Sequence, residues 1–412
     1  IDLGTSNTYI YGTHRHSVVP RPVVPPRIGA ADGCVETVIL YEDDMPRLIG
    51  HPAESEYYAN AAMRSRRNLR CQFKPETGED GSEAVRWMTD FLRMLRQALP
   101  PDTLEQDSQI YVGIPARTRE SFGPSLSRCF TDAGWPMPSL IRESDAAMIS
   151  CLQSGAIELD DMEHSLLILD FGGGTCDFTL AENSEILQSG GDRLLGGRLF
   201  DDLLFQLFCR HNPGMAEQAK ADNCEYYVHW VLCRAEKERF SKILQKDINS
   251  TVSLHLSWYD AQGTQKHAYL HDLTWQRIVS AAESYTASQP LLDMLHQYAN
   301  RGALGSTASD MLQGREVALI SWFKDMLYDI KKQKGVDKVI LTGGSSGWFF
   351  ARDAVHDVFG TDNIVMSPRT YEDIAYGLAL YPMLLDTHLK IKTLLEDRGL
   401  FATGGGNCPG HF

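Results

Sequence analysis

Leu166-Leu167-Ile168-Leu169-Asp170-Phe171-Gly172-Gly173-Gly174-Thr175-Cys176-Asp177-Phe178-Thr179-Leu180 is the stretch that decides the fold. It opens on a short, unbroken apolar run, Leu166 to Leu169, which predicts a strand buried on both faces. Asp170 stands at the end of that strand. Three glycines and a hydroxyl follow, and Phe178 to Ala181 resumes a strand pattern. The glycines let backbone N–H groups approach an anion closely and adopt conformations closed to other residues. A carboxylate beside them can hold a hydrated Mg²⁺ that bridges phosphate oxygens. The pattern therefore predicts a phosphate-binding turn; a tight hairpin without ligand is the plainer alternative.

The same design occurs at the start of the chain. Ile1-Asp2-Leu3-Gly4-Thr5-Ser6-Asn7-Thr8 is again strand, Asp, turn and second strand, with less glycine and more hydroxyl. Thr5 and Ser6 can donate to phosphate from side chain and backbone. Asp2 is a second anchor for Mg²⁺ water. Two copies so far apart predict two related domains with a cleft between them. A third small-residue turn, Thr342-Gly343-Gly344-Ser345-Ser346-Gly347, follows the apolar strand Val339-Ile340-Leu341. Small residues there let a flat ligand approach the backbone, which suits an adenosine moiety. A strand-to-helix turn is the alternative.

Composition narrows the rest. The 412 residues carry 39 Lys+Arg against 54 Asp+Glu, a net charge of −15. That balance argues against nucleic acid and against anionic membrane surfaces, since both need clustered positive charge. No stretch supplies the ~20 apolar residues of a membrane span. The cysteines form no C-x-x-C pair, which argues against structural zinc and predicts free thiols in a reducing, cytoplasmic compartment. The chain opens on Ile1 in the middle of a strand pattern, so residues are expected to precede it. Amphipathic spacing predicts helices over Glu83 to Leu99, Thr118 to Gly134, Arg198 to Phe208, Cys224 to Leu244, Ser321 to Gln333 and Ile374 to Leu385. Strands are predicted at Ile110 to Ile114, Thr251 to Leu256 and Lys266 to Leu270.

Two phosphate turns and a Gly-Gly-Ser turn, in this order, resemble the actin, sugar-kinase and heat-shock-chaperone ATPases. Within that superfamily the sequence is most similar to the nucleotide-binding domain of the heat shock protein 70 family. That family begins with a similar Ile-Asp-Leu-Gly-Thr-Thr segment, and its second loop reads Asp-Leu-Gly-Gly-Gly-Thr-x-Asp. Gly190-Gly191-Asp192-Arg193-Leu194-Leu195-Gly196-Gly197-Arg198-Leu199-Phe200-Asp201 resembles its Gly-Asp-x-x-Leu-Gly-Gly-x-x-Phe-Asp. Ile110 to Ala116 resembles its Val-Pro-Ala strand, Glu143 to Ala147 its Glu-Pro-x-Ala-Ala, Asp272 to Trp275 its Leu-Thr-Arg helix start, and Ile374 to Gly377 its Val-Ala-Tyr-Gly. The likeness runs from Ile1 to about Leu385.

The resemblance implies an α/β, two-lobed actin-like ATPase fold, a duplicated ribonuclease H-like domain with an inserted subdomain in each lobe. The first lobe would span 1–155, with an insertion at about 29–104, completed by a C-terminal helix at about 366–395. The second would span 156–365, with an insertion at about 197–285. A tail, 396–412, would follow with no peptide-binding domain. The ligands implied are ATP/ADP and Mg²⁺, and the partners are protein clients or co-chaperones. Asp2 and Asp170 would position the hydrated metal. Gly4, Thr5, Ser6, Asn7, Gly172, Gly173, Gly174 and Thr175 would hold phosphates. Gly196, Gly197, Gly343, Gly344 and Ser345 would line the nucleoside, with Lys237 and Ser241 on an adenine-side helix. Glu143 and Asp177 would orient the attacking water, with Asp177 the candidate base.

The sequence departs from the family at the adenine turn. An Arg that stacks on adenine is replaced by Gly347, with Trp348 or Arg239 as the expected substitutes. The catalytic lysine of the chaperones falls in the basic segment Arg64 to Lys74, where Lys74 is the first candidate and Arg67 the second. An actin-like filament ATPase, a small-molecule or sugar kinase, and a nucleotide-binding scaffold with little hydrolysis remain open alternatives. Asp177 in Thr175-x-Asp177 speaks against the first, and no acidic base on the first lobe facing a polar pocket is identifiable for the second.

Overall fold

The computed structural model describes residues 1–387 except 14–18, 31, 75–81, 106, 116–120, 184, 193, 299–307 and 368. Ala116, Arg193, the C-terminal helix beyond Thr387 and the tail 396–412 lie outside the described residues. The chain is a mixed α/β protein. Its central element is the predicted strand, Leu166–Phe171, buried at every position. Alternate residues point to opposite faces of a strand, and the packing follows that rule. Leu167, Leu169 and Phe171 join one hydrophobic cluster, with Phe171 against Phe323 at 5.0 Å between ring centroids. Leu166 and Ile168 join a second cluster with Ala146, Ile149, Ile340 and Ile374. Burying such side chains contributes about 1.5–3 kcal/mol each.

Leu166–Phe171 is the middle of a five-stranded sheet in the order Glu185–Asp192, Cys176–Glu182, Leu166–Phe171, Lys338–Thr342, Ile364–Met366. The first three strands are antiparallel neighbours and the last two run parallel to the centre. The start of the chain repeats this plan. Asp2–Leu3 pairs antiparallel with Asn7–Tyr9, which pairs antiparallel with Cys34–Glu36. On the other side, Ile1 donates from its backbone N to Tyr111 O at 2.7 Å and Gly113 donates to Ile1 O at 3.2 Å, a parallel pairing. Tyr111–Ile114 then pairs parallel with Ser139–Arg142. The two sheets share one strand order and one set of directions, so the repeat read in the sequence is a repeat of topology. Asp2 and Asp170 occupy equivalent places in it.

Two helices lie between these sheets. Glu143–Ser154 and Asp373–Thr387 pack on Ile168 and Ile340 of one sheet, and partly buried Tyr111 and Ile141 of the other join the same cluster. Their backbones approach closely at Gly377, where a Cβ would strike the carbonyl of Ala146.

Two excursions leave the sheets. One carries the antiparallel strands Val38–Glu42, Met45–Ile49 and Arg67–Cys71 with helices His51–Ala59 and Glu83–Ala98. Pro46 is tolerated because Met45–Ile49 is an edge strand. The other carries helix Gly197–His211, a π-helical turn Tyr227–Leu232 running into helix Cys233–Leu244, and the hairpin Val252–Tyr259 with Gln265–Leu273. The predicted helices Thr118 to Gly134, Ser321 to Gln333 and Ile374 to Leu385 are found as Phe122–Asp132, Leu319–Gln333 and Asp373–Thr387. Among the described residues no helix is long and apolar enough to cross a membrane. None of the described cysteines is in a disulfide.

Candidate functional site

The two Asp-Gly turns meet. The second is closed by a bond from Gly172 N to Thr175 O at 2.9 Å. A Cβ on Gly173 would lie 2.7 Å from Ser6 Oγ of the first turn, so glycine sets how closely the turns approach. The first turn is pinned from behind by Thr37. Its hydroxyl donates to Gly4 O at 2.9 Å and its backbone N–H to Ser6 O at 2.8 Å. Helix Gly197–His211 begins directly against the second turn. Gly197 N donates to Gly172 O at 3.1 Å and Arg198 N to Gly173 O at 2.8 Å. A Cβ on Gly196 would sit 2.5 Å from Gly174 C. Gly343 has φ +85, and a Cβ there would collide with Asp170 Oδ1. A left-handed glycine is thus required for the third turn to pass the end of the Asp170 strand.

Together the three turns wall a cleft of about 360 Å³. The predicted residues that line it are Asp2, Gly4, Thr5, Ser6, Asn7, Lys74, Glu143, Asp170, Gly172, Gly173, Thr175, Lys237, Ser241, Gly343, Gly344 and Ser345. Gly174, Gly196, Gly197 and Asp177 do not line it. The three glycines stand behind the lining of the second turn, with Gly196 packed on Gly174 and Gly197 near Ser345 and Lys237. Asp177 lies directly across from Asp170 on the neighbouring strand and is 7% exposed.

The floor of the cleft is acidic. Lys74 Nζ lies 2.8 Å from Glu143 Oε1, and both side chains are buried. Burial works against the Lys74 ammonium, but Glu143, Asp2 and Asp170 outweigh it and raise its pKa. Asp2 is pushed up to about 7 by burial, with Glu143 adding to the effect and Lys74 opposing it. Burial also raises Asp170 well above the usual carboxylate range, helped by Glu143, Asp177 and Asp2. Carboxylates driven toward neutrality by one another are a donor set short of positive charge. That chemistry fits a hard divalent cation held by oxygen ligands.

The other wall carries Lys237, whose Nζ lies 2.7 Å from Asp201 Oδ1 and 3.1 Å from Gly197 O. Ser241 Oγ donates to Gly347 O at 3.0 Å and accepts from Phe349 N at 3.0 Å. Of the two expected substitutes for the stacking Arg, Trp348 reaches the wall of the cleft and Arg239 does not. Trp348 is 4% exposed and packs with Phe200, Phe240 and Trp275, whose ring centroids lie 5.8, 6.4 and 6.2 Å away. Arg239 turns out to Glu236 at 2.8 Å. Arg67 is also removed from the cleft: it is buried between Glu42 and Glu56, at 2.8 and 3.1 Å. Lys74 is therefore the lysine candidate that reaches the site.

Sequence reasoning missed Tyr9, Asp201, Arg234, Gln245 and Tyr371, all of which line the cleft. Asp201 had a signal, as the last residue of the Gly196-Gly197 motif. Tyr371 had none, because only the fold brings it to the third turn.

No family model matches the chain. It is similar to three proteins called chaperone protein DnaK. The one from Thermosipho africanus is 23% identical over 400 residues, covering 93% of this chain and 58% of the relative. Those from Elusimicrobium minutum and Cenarchaeum symbiosum are both 24% identical, over 222 and 214 residues, covering 50% and 49% of this chain and 34% and 31% of the relatives. The chain thus spans between about a third and three-fifths of the length of these relatives. The similarity supports a place in the superfamily that joins heat-shock chaperone and actin-like ATPases, and it extends beyond the glycine turns to nearly the whole chain.

Proposed function

We propose that this chain is a two-lobed, actin-like ATPase that binds Mg²⁺·ATP between its lobes and hydrolyses it slowly as a chaperone-type switch. The observation that carries the reading is the meeting of two equivalent Asp-Gly turns over one buried acidic floor. The first lobe would be 1–155 with the helix at 366–395, and the second 156–365; the shared strand order of the two sheets supports that division.

In this reading Thr5, Ser6, Asn7, Gly172, Gly173, Gly174 and Thr175 bind the phosphates through backbone N–H groups and hydroxyls. Asp2 and Asp170 hold the hydrated Mg²⁺, which when bound neutralises charge on the phosphates. Lys74 faces the transferred phosphoryl group and offsets the charge that develops there, while Glu143 fixes the ammonium in place. Asp177, across from Asp170 on the neighbouring strand and outside the lining of the cleft, is the candidate proton acceptor for the attacking water once closure of the lobes brings it within reach. Gly343, Gly344 and Ser345 line the nucleoside, and Lys237 secures the helix start behind it through Asp201 and Gly197. Closure of the lobes around the nucleotide would couple its hydrolysis state to protein partners.

The test is single-turnover hydrolysis of ATP with Mg²⁺ by the wild type, Lys74→Ala and Asp177→Ala. Slow hydrolysis in the wild type, lost in both variants, is the expected result. Tight ATP binding with no hydrolysis in the wild type would replace the switch with a nucleotide-dependent scaffold.

A further inference from the structure

Tyr371 stands at the mouth of the cleft, 48% exposed, on the segment that leads into helix Asp373–Thr387. Its ring lies along the third glycine turn. A Cβ on Gly344 would be 3.6 Å from its ring, and a Cβ on Gly347 would be 2.8 Å from its hydroxyl. A side chain at 347 and the ring of Tyr371 therefore compete for one space.

Two of the polar groups around this end are committed to the third turn itself. A serine hydroxyl has one proton to donate, and Ser241 gives it to Gly347 O at 3.0 Å. Gln245 Nε2 donates to the same carbonyl at 2.5 Å. Trp348 packs on the core while reaching the wall of the cleft, and Arg239 faces Glu236. What this end offers a ligand is an aromatic plane beside a strip of glycine backbone, with Glu238 and Lys242 on the same wall.

Resting on the proposed nucleotide site, we infer that Tyr371 is the platform on which the base of the nucleotide stacks. Every base has a π-face, so stacking is tolerant of base identity. Aromatic truncation at such contacts lowers affinity roughly five- to hundred-fold.

The test is calorimetric titration of the full chain with ATP, GTP and inorganic tripolyphosphate, each with Mg²⁺. Tyr371→Ala should weaken both nucleotides at least five-fold and leave tripolyphosphate unchanged. Tyr371→Phe, which keeps the ring, should restore nucleotide binding. Gly347→Arg should displace the ring and change nucleotide affinity without touching tripolyphosphate. The inference is overturned if Tyr371→Ala binds ATP as the wild type does. Failure of all three ligands to bind the wild type would remove the nucleotide site itself, a different outcome from loss of the stacking role alone.

Discussion

Replacing Asp2 by Asn tests the acidic floor without requiring any ligand. Asp2 is buried and its carboxyl pKa rises from 3.8 to about 7, through desolvation first and Glu143 second. A folded-state pKa above the unfolded one means that the folded protein holds the proton more tightly. The resulting stabilisation is complete below about pH 4 and is lost as pH rises through about 7. At about 1.4 kcal/mol per pKa unit, that rise corresponds to roughly 4 kcal/mol. Asp170, raised in the same direction, adds to the trend. Urea unfolding at pH 5, 6, 7 and 8, at fixed ionic strength with a chelator present, measures it. The wild type should lose several kcal/mol between pH 5 and 8. Asp2→Asn should lose markedly less and be the more stable protein at pH 8, because an amide cannot ionise beside Glu143 and Asp170. Equal slopes for the two proteins would refute the account of the floor.

Other substitutions probe the scaffold and the ion pair. Lys74→Ala removes the buried partner of Glu143 and should destabilise the ligand-free protein by about 3 kcal/mol at pH 8, and by less at pH 5, where protonated Asp2 relieves the repulsion; equilibrium unfolding at the two pH values reads this. Gly343→Ala places a Cβ against Asp170 at φ +85 and should cost about 2 kcal/mol or more, measured as a lowered urea midpoint. Gly377→Ala drives a Cβ onto the carbonyl of Ala146 and should prise apart the two helices between the sheets, seen as a lowered Tm and faster amide exchange along Glu143–Ser154. His229→Ala leaves Asp202 buried without the imidazole 2.9 Å away and should destabilise by about 3 kcal/mol, with little effect on nucleotide affinity in calorimetry.

Much of this architecture was legible because its key strand is buried on both faces. Leu166 to Leu169 is apolar without interruption for that reason, and Asp170 and the glycines mark where it ends. The repeat at Ile1 to Thr8 then gave the second sheet. Arg67–Cys71 was not legible as a strand, because its two arginines meet their partners outside the segment: Arg67 in Glu42 and Glu56, and Arg70 against the Trp87 ring at 5.1 Å. Lys74 ranks ahead of Arg67 in the sequence by resemblance alone, since both sit in one basic segment. Only the fold shows that one cation faces Glu143 and the other faces away from the cleft. Trp348 takes both places that an aromatic after a glycine turn can take: it lines the cleft and packs on Phe200, Phe240 and Trp275, which come from distant segments. Tyr371 reaches the site by a contact between two turns that no local pattern encodes.

The central claim is that the two Asp-Gly turns form one Mg²⁺·ATP site. The most direct measurement is calorimetric titration of ATP into the wild type and Asp170→Asn, each with Mg²⁺ and with a chelator. The account predicts one saturable site in the wild type, weakened at least ten-fold by chelation and by the Asn substitution. Absence of binding, or binding indifferent to both changes, would contradict it.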